Sequence, residues 1–309
     1  MKKHIPYLLI ISIVLLITIS ICCSSSANEL AKNEFEHDGV MREYIYYSPN
    51  SLTKNAPLVV VLHGFTGSAE NILEYTRFND LADENSFAVV YPQGTRDEEL
   101  NTFWNVGYEF HEDVKTNDLD FIAKLVDYLQ AKYSLSKENT FATGMSNGAE
   151  MCYLLACNYP DIFNSVAPVA GTMMNNRFND CNPVNPIPIL SIFGTDDKTT
   201  NYMGDEANAG GWGAYKSIPS IIDFWAANME YRSTKVDTLP NIIEKDSSFV
   251  ILKKYFKETS DTEFLYFEVV GGGHDWPGVW GNKDIDASKE IWSFFMRHLE
   301  SNEAAEQLR

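Results

Sequence analysis

Two apolar patterns alternate along this chain. PLVVVLHG (Pro57 to Gly64) and FAVVYPQG (Phe87 to Gly94) are unbroken apolar runs bounded by proline and glycine, as expected of strands buried on both faces. REYIYYS (Arg42 to Ser48), TFATG (Thr140 to Gly144), SVAPVAG, PIPILSIFG and FLYFEVV (Phe264 to Val270) read as further strands. Between them lie runs of helical period. ENILEYTRFNDLADE reads as one helix. In NDLDFIAKLVDYLQAKY (Asn117 to Tyr133), Leu119, Ile122, Leu125, Val126 and Leu129 share a face, with Asn117 as the cap. NGAEMCYLLACNY, IPSIIDFWAANM and DASKEIWSFFMRHLE complete the helices. Strand after helix after strand predicts an α/β fold with a mostly parallel central sheet and helices on both faces.

In such sheets ligands bind beyond the carboxyl ends of the strands. That rule singles out the loops after Leu62, Gly144, Phe193 and Val270: HGFTGS, GMSNG, FGTDDKTTNY and GGGHDWPG. One serine, a choice of acids and one histidine occur there in chain order. A serine hydroxyl is a weak nucleophile near neutral pH, so it needs a base to take its proton. The base needs an acid to hold its tautomer and stabilise the imidazolium. Ser146 could instead be an ordinary helix N-cap, a role that serine favours. The flanking Gly144 and Gly148 fit the strained strand-to-helix turn of a nucleophile, where side chains at those two places would clash. His274 is the expected base. Asp197 competes with Asp196 for the acid, since either could cap a turn. The expected oxyanion donors are the backbone N–H groups of Phe65 and Asn147. His63 is expected to support the oxyanion loop. His4, His37, His111 and His298 have no such setting and are expected at the surface or in a targeting segment. Trp104 and Trp276 are expected to wall the substrate pocket, with ordinary packing as the alternative.

The first residues do not belong to this pattern. Lys2 and Lys3 precede the apolar run Ile5 to Ile21, which CCSSSANEL follows; this is an export signal. It ends either in cleavage after Ala27, with residues 28–309 forming a single catalytic domain, or in a lipid-modified Cys22 or Cys23 that attaches the protein to a membrane. A retained signal anchor is disfavoured because the run is short for a span. The chain carries 24 Lys and Arg against 43 Asp and Glu, a net charge of −19, which argues against nucleic-acid partners. Beyond the leader only Cys152, Cys157 and Cys181 remain. An exported chain permits one disulfide. Cys152 and Cys157 lie on one helix in poor geometry, leaving a Cys157–Cys181 bridge or three unpaired thiols. No metal-binding spacing such as CxxC or HExxH occurs, and neither a metal nor an organic cofactor is expected.

At these loops the sequence resembles exported α/β-hydrolase esterases of the polyhydroxybutyrate-depolymerase and feruloyl-esterase type, which overlap carbohydrate esterase family one. The resemblance is carried by VLHGF, GMSNG, LACNYPDIFNSVAPVAG, FGTDD and GGGHDWPG, across most of Val59 to Leu299. It implies an α/β-hydrolase fold with Ser146 as nucleophile, Asp197 as acid and His274 as base, and it supports the Cys157–Cys181 bridge. Phe193 stands where the family often has histidine, and KTTNY follows Asp197 in place of an apolar segment. The implied substrates are feruloyl or acetyl esters on plant polysaccharides, with polyhydroxyalkanoate as the rival polyester. A secreted serine peptidase of the same fold and a non-catalytic carbohydrate-binding relative are the other readings.

Overall fold

The unbroken apolar runs form the centre of a ten-stranded sheet. The computed structural model describes residues 31–259 and 262–300. The expected export signal, with Cys22, Cys23 and Ala27, and His4 lie outside the described residues. Among the described residues no helix is long and apolar enough to cross a membrane.

The strands are β1 (Lys32–His37), β2 (Val40–Tyr47), β3 (Leu58–Leu62), β4 (Ala88–Pro92), the short β5 (Thr95–Arg96) and β6 (Thr102–Phe103), β7 (Thr140–Met145), β8 (Ser165–Val169), β9 (Ile189–Gly194), β10 (Ser233–Thr238), β11 (Phe249–Phe256) and β12 (Glu263–Val270). The helices are α1 (Ala69–Thr76), α2 (Phe78–Asn85), α3 (Asp118–Tyr133), α4 (Asn147–Asn158), α5 (Asn175–Asp180), α6 (Ile218–Asn228) and α7 (Ala287–Arg297). The main sheet has the order β1-β2-β4-β3-β7-β8-β9-β12-β11-β10. β4, β3, β7, β8, β9 and β12 run parallel, and antiparallel strands extend each edge. β3, β4 and β8 are buried at every position, which explains their lack of polar alternation.

Side chains on the two faces of the sheet pack into two cores. One gathers α3, α4 and α6 around Trp104, Tyr153 and Trp225; the other gathers α1, α2 and α7 around Phe87, Phe141 and Trp292. The predicted single helix over residues 70–84 is broken at Arg77, which sits at φ 55° and separates α1 from α2. The break lets Ile72 of α1 and Phe78, Leu81 and Ala82 of α2 all bury against the sheet. α3 begins where its cap predicts: the Asn117 side chain accepts from the Asp120 N–H. Beneath it, the buried Arg42 guanidinium donates to Asp118 at 2.7 Å and lies over the Phe121 ring.

β3 has β4 on one side and β7 on the other, so the chain direction across the sheet reverses there. The crevice at such a switch point lies beyond the ends of β3 and β7, where the His63 and Ser146 turns begin. Cys157, near the end of α4, is bridged to Cys181, just after α5, with Cα atoms 5.6 Å apart; Cys152 is a buried free thiol. The bridge ties the loop after β8 to the helix that starts at the site.

Candidate active site

β7 runs into α4 through a single residue. Ser146 has φ 55° and ψ −119°, a conformation that non-glycine residues rarely adopt. It stands at the N-cap position, yet its side chain makes no capping hydrogen bond. The hydroxyl is therefore not used as a cap. The turn is possible because its neighbours lack side chains. A Cβ on Gly144 would meet the Leu62 carbonyl oxygen at 2.7 Å, and one on Gly148 would meet the His63 oxygen at the same distance.

Asp197 and His274 come together from the loops after β9 and β12. Asp197 Oδ2 lies 2.7 Å from His274 Nδ1. A carboxylate can only accept, so Nδ1 carries the proton and Nε2 is left as an acceptor. Asp197 Oδ1 accepts from the backbone N–H groups of Thr199 and Thr200, both at 2.8 Å. These bonds fix the buried carboxylate and distinguish it from Asp196, whose exposed side chain faces Lys198 instead. Ser146 and His274 line the same two cavities, and Phe65 borders both.

The Phe65 loop packs directly on the serine turn. A Cβ on Gly64 would touch the Met145 oxygen and Ser146 Cβ at 3.4 Å. His63 supports this loop from behind. Its Nδ1–H donates to the Gly64 oxygen at 2.7 Å, while Nε2 accepts from the N–H of Gly94 at 2.9 Å and the amide of Gln93 at 3.1 Å. Burial pushes its pKa down to about 4, so the ring stays neutral, as this hydrogen-bond pattern requires. Asn147, expected to contribute its backbone N–H, also uses its side chain: Oδ1 accepts from the Trp104 N–H at 2.6 Å and Nδ2 donates to the Trp104 oxygen at 3.0 Å.

Trp104 and Trp276 do not wall a pocket. Both are fully buried and neither lines a cavity beside Ser146. Trp104 donates its indole N–H to the His63 oxygen at 2.9 Å, and Trp276 donates to Ser288 at 3.0 Å. Each therefore braces a site loop from within the core. The indoles at the cavities are Trp212 and Trp280. His37 and His111 are likewise not surface residues, and His298 is half-buried. His37 is buried against Asp120, His111 is buried between Phe103 and Asp97, and burial pushes the pKa of His298 down to about 4.

One cavity, of about 210 Å³, is lined by Phe65, Tyr108, Glu150, Thr172, Trp212 and Tyr215. Thr199 and Thr200 belong to its wall, so the KTTNY segment both fixes Asp197 and shapes the cavity. The other, a groove of about 310 Å³, is bordered by Asn71, Tyr75 and the exposed Trp280. Glu150 was absent from the expected site, although its place four residues after Ser146 puts it on the same helical face. Among the described residues no group of side chains could hold a metal ion.

A serine on a strand-to-helix turn, followed by an acid and a histidine at later strand ends of a largely parallel sheet, defines an α/β-hydrolase. Residues 42–184 match the family model described as Esterase PHB depolymerase. A poly(3-hydroxyalkanoate) depolymerase C of Paucimonas lemoignei is 28% identical over 251 residues, 74% of this chain but 57% of that protein. A feruloyl esterase B of Thermothelomyces thermophilus is 29% identical over 154 residues, 48% of this chain and 50% of that one. The aligned region thus spans about half the length of these curated relatives. An acetyl xylan esterase structure from Aspergillus awamori shares the fold with a TM-score of 0.61 at 16% identity, over 86% of this chain and 99% of that one.

Proposed function

We propose that this chain is an exported serine esterase that hydrolyses carboxylic esters through an acyl-enzyme, with feruloyl or acetyl esters on plant polysaccharides as substrates. The observation that carries the reading is the 2.7 Å Asp197–His274 pair beside a serine whose strained backbone frees its hydroxyl. Ser146 Oγ attacks the ester carbonyl as His274 Nε2 takes its proton. The resulting oxyanion is held by the N–H groups of Phe65 and Asn147. His274 returns the proton to the leaving alcohol, and water repeats the sequence on the acyl-enzyme to release the acid. None of these steps calls for a metal or an organic cofactor. The export signal and the possession of such esterases by fungi and bacteria fit release from the cell or attachment by a lipid at Cys22 or Cys23.

The test is turnover of p-nitrophenyl acetate together with covalent labelling by a fluorophosphonate. Wild type is expected to show both and Ser146→Ala neither, with the fold intact by circular dichroism. Unchanged turnover in a folded Ser146→Ala protein would overturn the assignment. The family match and the depolymerase relative favour polyhydroxyalkanoate as a second reading. Comparing acetylated xylan, methyl ferulate and polyhydroxybutyrate would separate the two.

A further inference from the structure

The cavity lined by Phe65 and Trp212 contains a carboxyl group that the Asp197–His274 pair does not use. Glu150 lies one helical turn beyond Ser146, so its side chain leaves α4 on the nucleophile's side. It is 5% exposed and forms part of the same wall as Ser146 and His274. A buried carboxyl group is costly unless something compensates it. Among the described residues no Lys, Arg or His forms an ion pair with it; the Tyr108 hydroxyl donates to Oε2 at 2.6 Å, and the Asn147 side chain and the Thr172 backbone also favour its charged form. Burial pushes the carboxyl up to about 7, so near neutral pH it exchanges between its two forms and can accept a hydrogen bond in either.

The rest of the wall limits what can reach this group. Phe65, Trp212 and Tyr215 supply aromatic faces, Trp212 meeting Phe65 edge-on at 5.3 Å and Tyr108 at 5.1 Å. Tyr108, Tyr215 and Met174 are each at most 5% exposed, whereas Trp280, on the other side of the serine, is 59% exposed. A polymer-borne alcohol needs the open groove, because the chain must continue outward. The narrower, less open cavity then receives the small half of the ester, the acyl group.

We propose that Glu150 and Tyr108 form a hydroxyl-reading subsite that selects acyl groups carrying a hydroxyl able to donate to the Glu150 carboxyl. The proposal rests on the esterase reading and specifies its acyl side. A hydroxyl on an aromatic ring and one on an aliphatic chain offer the same donor, so both belong in the test. A site with a buried acceptor left unpaired by the wrong substrate discriminates strongly against it, while a purely apolar slot does not.

The measurement is kcat/KM for two matched pairs: methyl 4-hydroxycinnamate with methyl cinnamate, and methyl 3-hydroxybutanoate with methyl butanoate. Wild type is expected to favour the hydroxylated member of at least one pair by about tenfold or more. The pair that shows the preference identifies the hydroxyl as aryl or alkyl. Glu150→Met is expected to bring that ratio close to one, and Glu150→Gln, which keeps an acceptor and the shape, to leave an intermediate ratio. Equal turnover within both pairs by wild type would overturn the subsite. So would a Glu150→Gln or Glu150→Met protein that slows both members of a pair equally, since that describes a merely structural carboxyl. Should Glu150→Met fail to fold, the Gln variant decides. If wild type turns over no ester, the esterase reading falls. The subsite is then judged by tryptophan-fluorescence binding of the same pairs to Ser146→Ala, where tighter binding of the hydroxylated member supports it and equal binding refutes it.

Discussion

The side-chain amide of Asn147 is hydrogen-bonded at both ends to the backbone of Trp104, and the Trp104 indole in turn holds the His63 carbonyl. Asn147, the residue after Ser146, thus fastens the serine turn to the segment that supports the Phe65 loop. Replacing Asn147 by Ala leaves the buried Trp104 N–H without a partner, while the Trp104 carbonyl keeps the Val106 N–H, at a cost of about 1–3 kcal/mol. Oxyanion donors act only when already aimed, so kcat is expected to fall ~10–100-fold while KM changes little. Urea unfolding and steady-state kinetics on p-nitrophenyl acetate check the two halves separately. A variant that loses stability but keeps kcat would show that the clamp is structural only.

The two adjacent aspartates make a sharper test of the acid. Asp197 accepts from His274 Nδ1 and from two backbone N–H groups, whereas Asp196 is exposed and bonds through its backbone N–H to the Gly272 oxygen. Asp197→Asn can present an N–H to Nδ1 and so favour the wrong tautomer, which is expected to lower kcat by up to about 10⁴-fold. Asp196→Asn is expected to stay within about twofold of wild type. Similar kinetics for the two variants would refute the role given to Asp197.

The central strands were legible because full burial writes itself as unbroken apolar sequence, and Ser146, Asp197 and His274 because each follows such a run. β1 and β10 were not: KNEFEH and STKVDT are mostly polar edge strands whose pairing depends on neighbours distant in sequence. The tryptophans show a different limit. Trp104 and Trp212 are equally plausible pocket walls as letters, and only the folded loops bury one and bring the other to the cavity. Glu150 could have been found, since helical period alone puts it on the serine's face. The roles of Thr199 and Thr200 depend on a turn conformation that KTTNY does not spell out.

The Cys157–Cys181 bridge closes a segment 24 residues long and anchors the loop that brings Thr172 and Met174 to the cavity. Closing a loop of this length constrains the unfolded chain by about 3 kcal/mol. Cys181→Ser is therefore expected to lower stability by about that amount. Because Ser146, Asp197 and His274 lie on other loops, turnover of p-nitrophenyl acetate should fall less than that of bulkier acyl esters. Equal urea midpoints for oxidised and reduced wild type would contradict this.

Stability should carry a pH signature from two buried groups acting in opposite senses. Burial raises the Glu150 carboxyl from 4.5 to about 7, so between those values the folded protein holds a proton that the unfolded chain has released. Stability from this group consequently declines as pH rises through that window, by an upper bound of about 3 kcal/mol. Burial lowers the His63 imidazole from 6.5 to about 4, so below 6.5 it is the unfolded chain that takes up the extra proton. Stability from His63 is fully present above pH 6.5 and is lost as pH falls toward 4. Glu150→Gln removes the first contribution while its amide oxygen can still accept from Tyr108. At pH 8 this variant is expected to be more stable than wild type by about 1–3 kcal/mol. At pH 4, where the wild-type carboxyl is protonated in both states, the two should converge. Between pH 6.5 and 4 the variant should lose stability more steeply than wild type, because nothing then offsets His63. Urea unfolding at pH 4, 6 and 8 tests all three statements, and a variant less stable than wild type at pH 8 would contradict the dominance of burial over hydrogen bonding at Glu150.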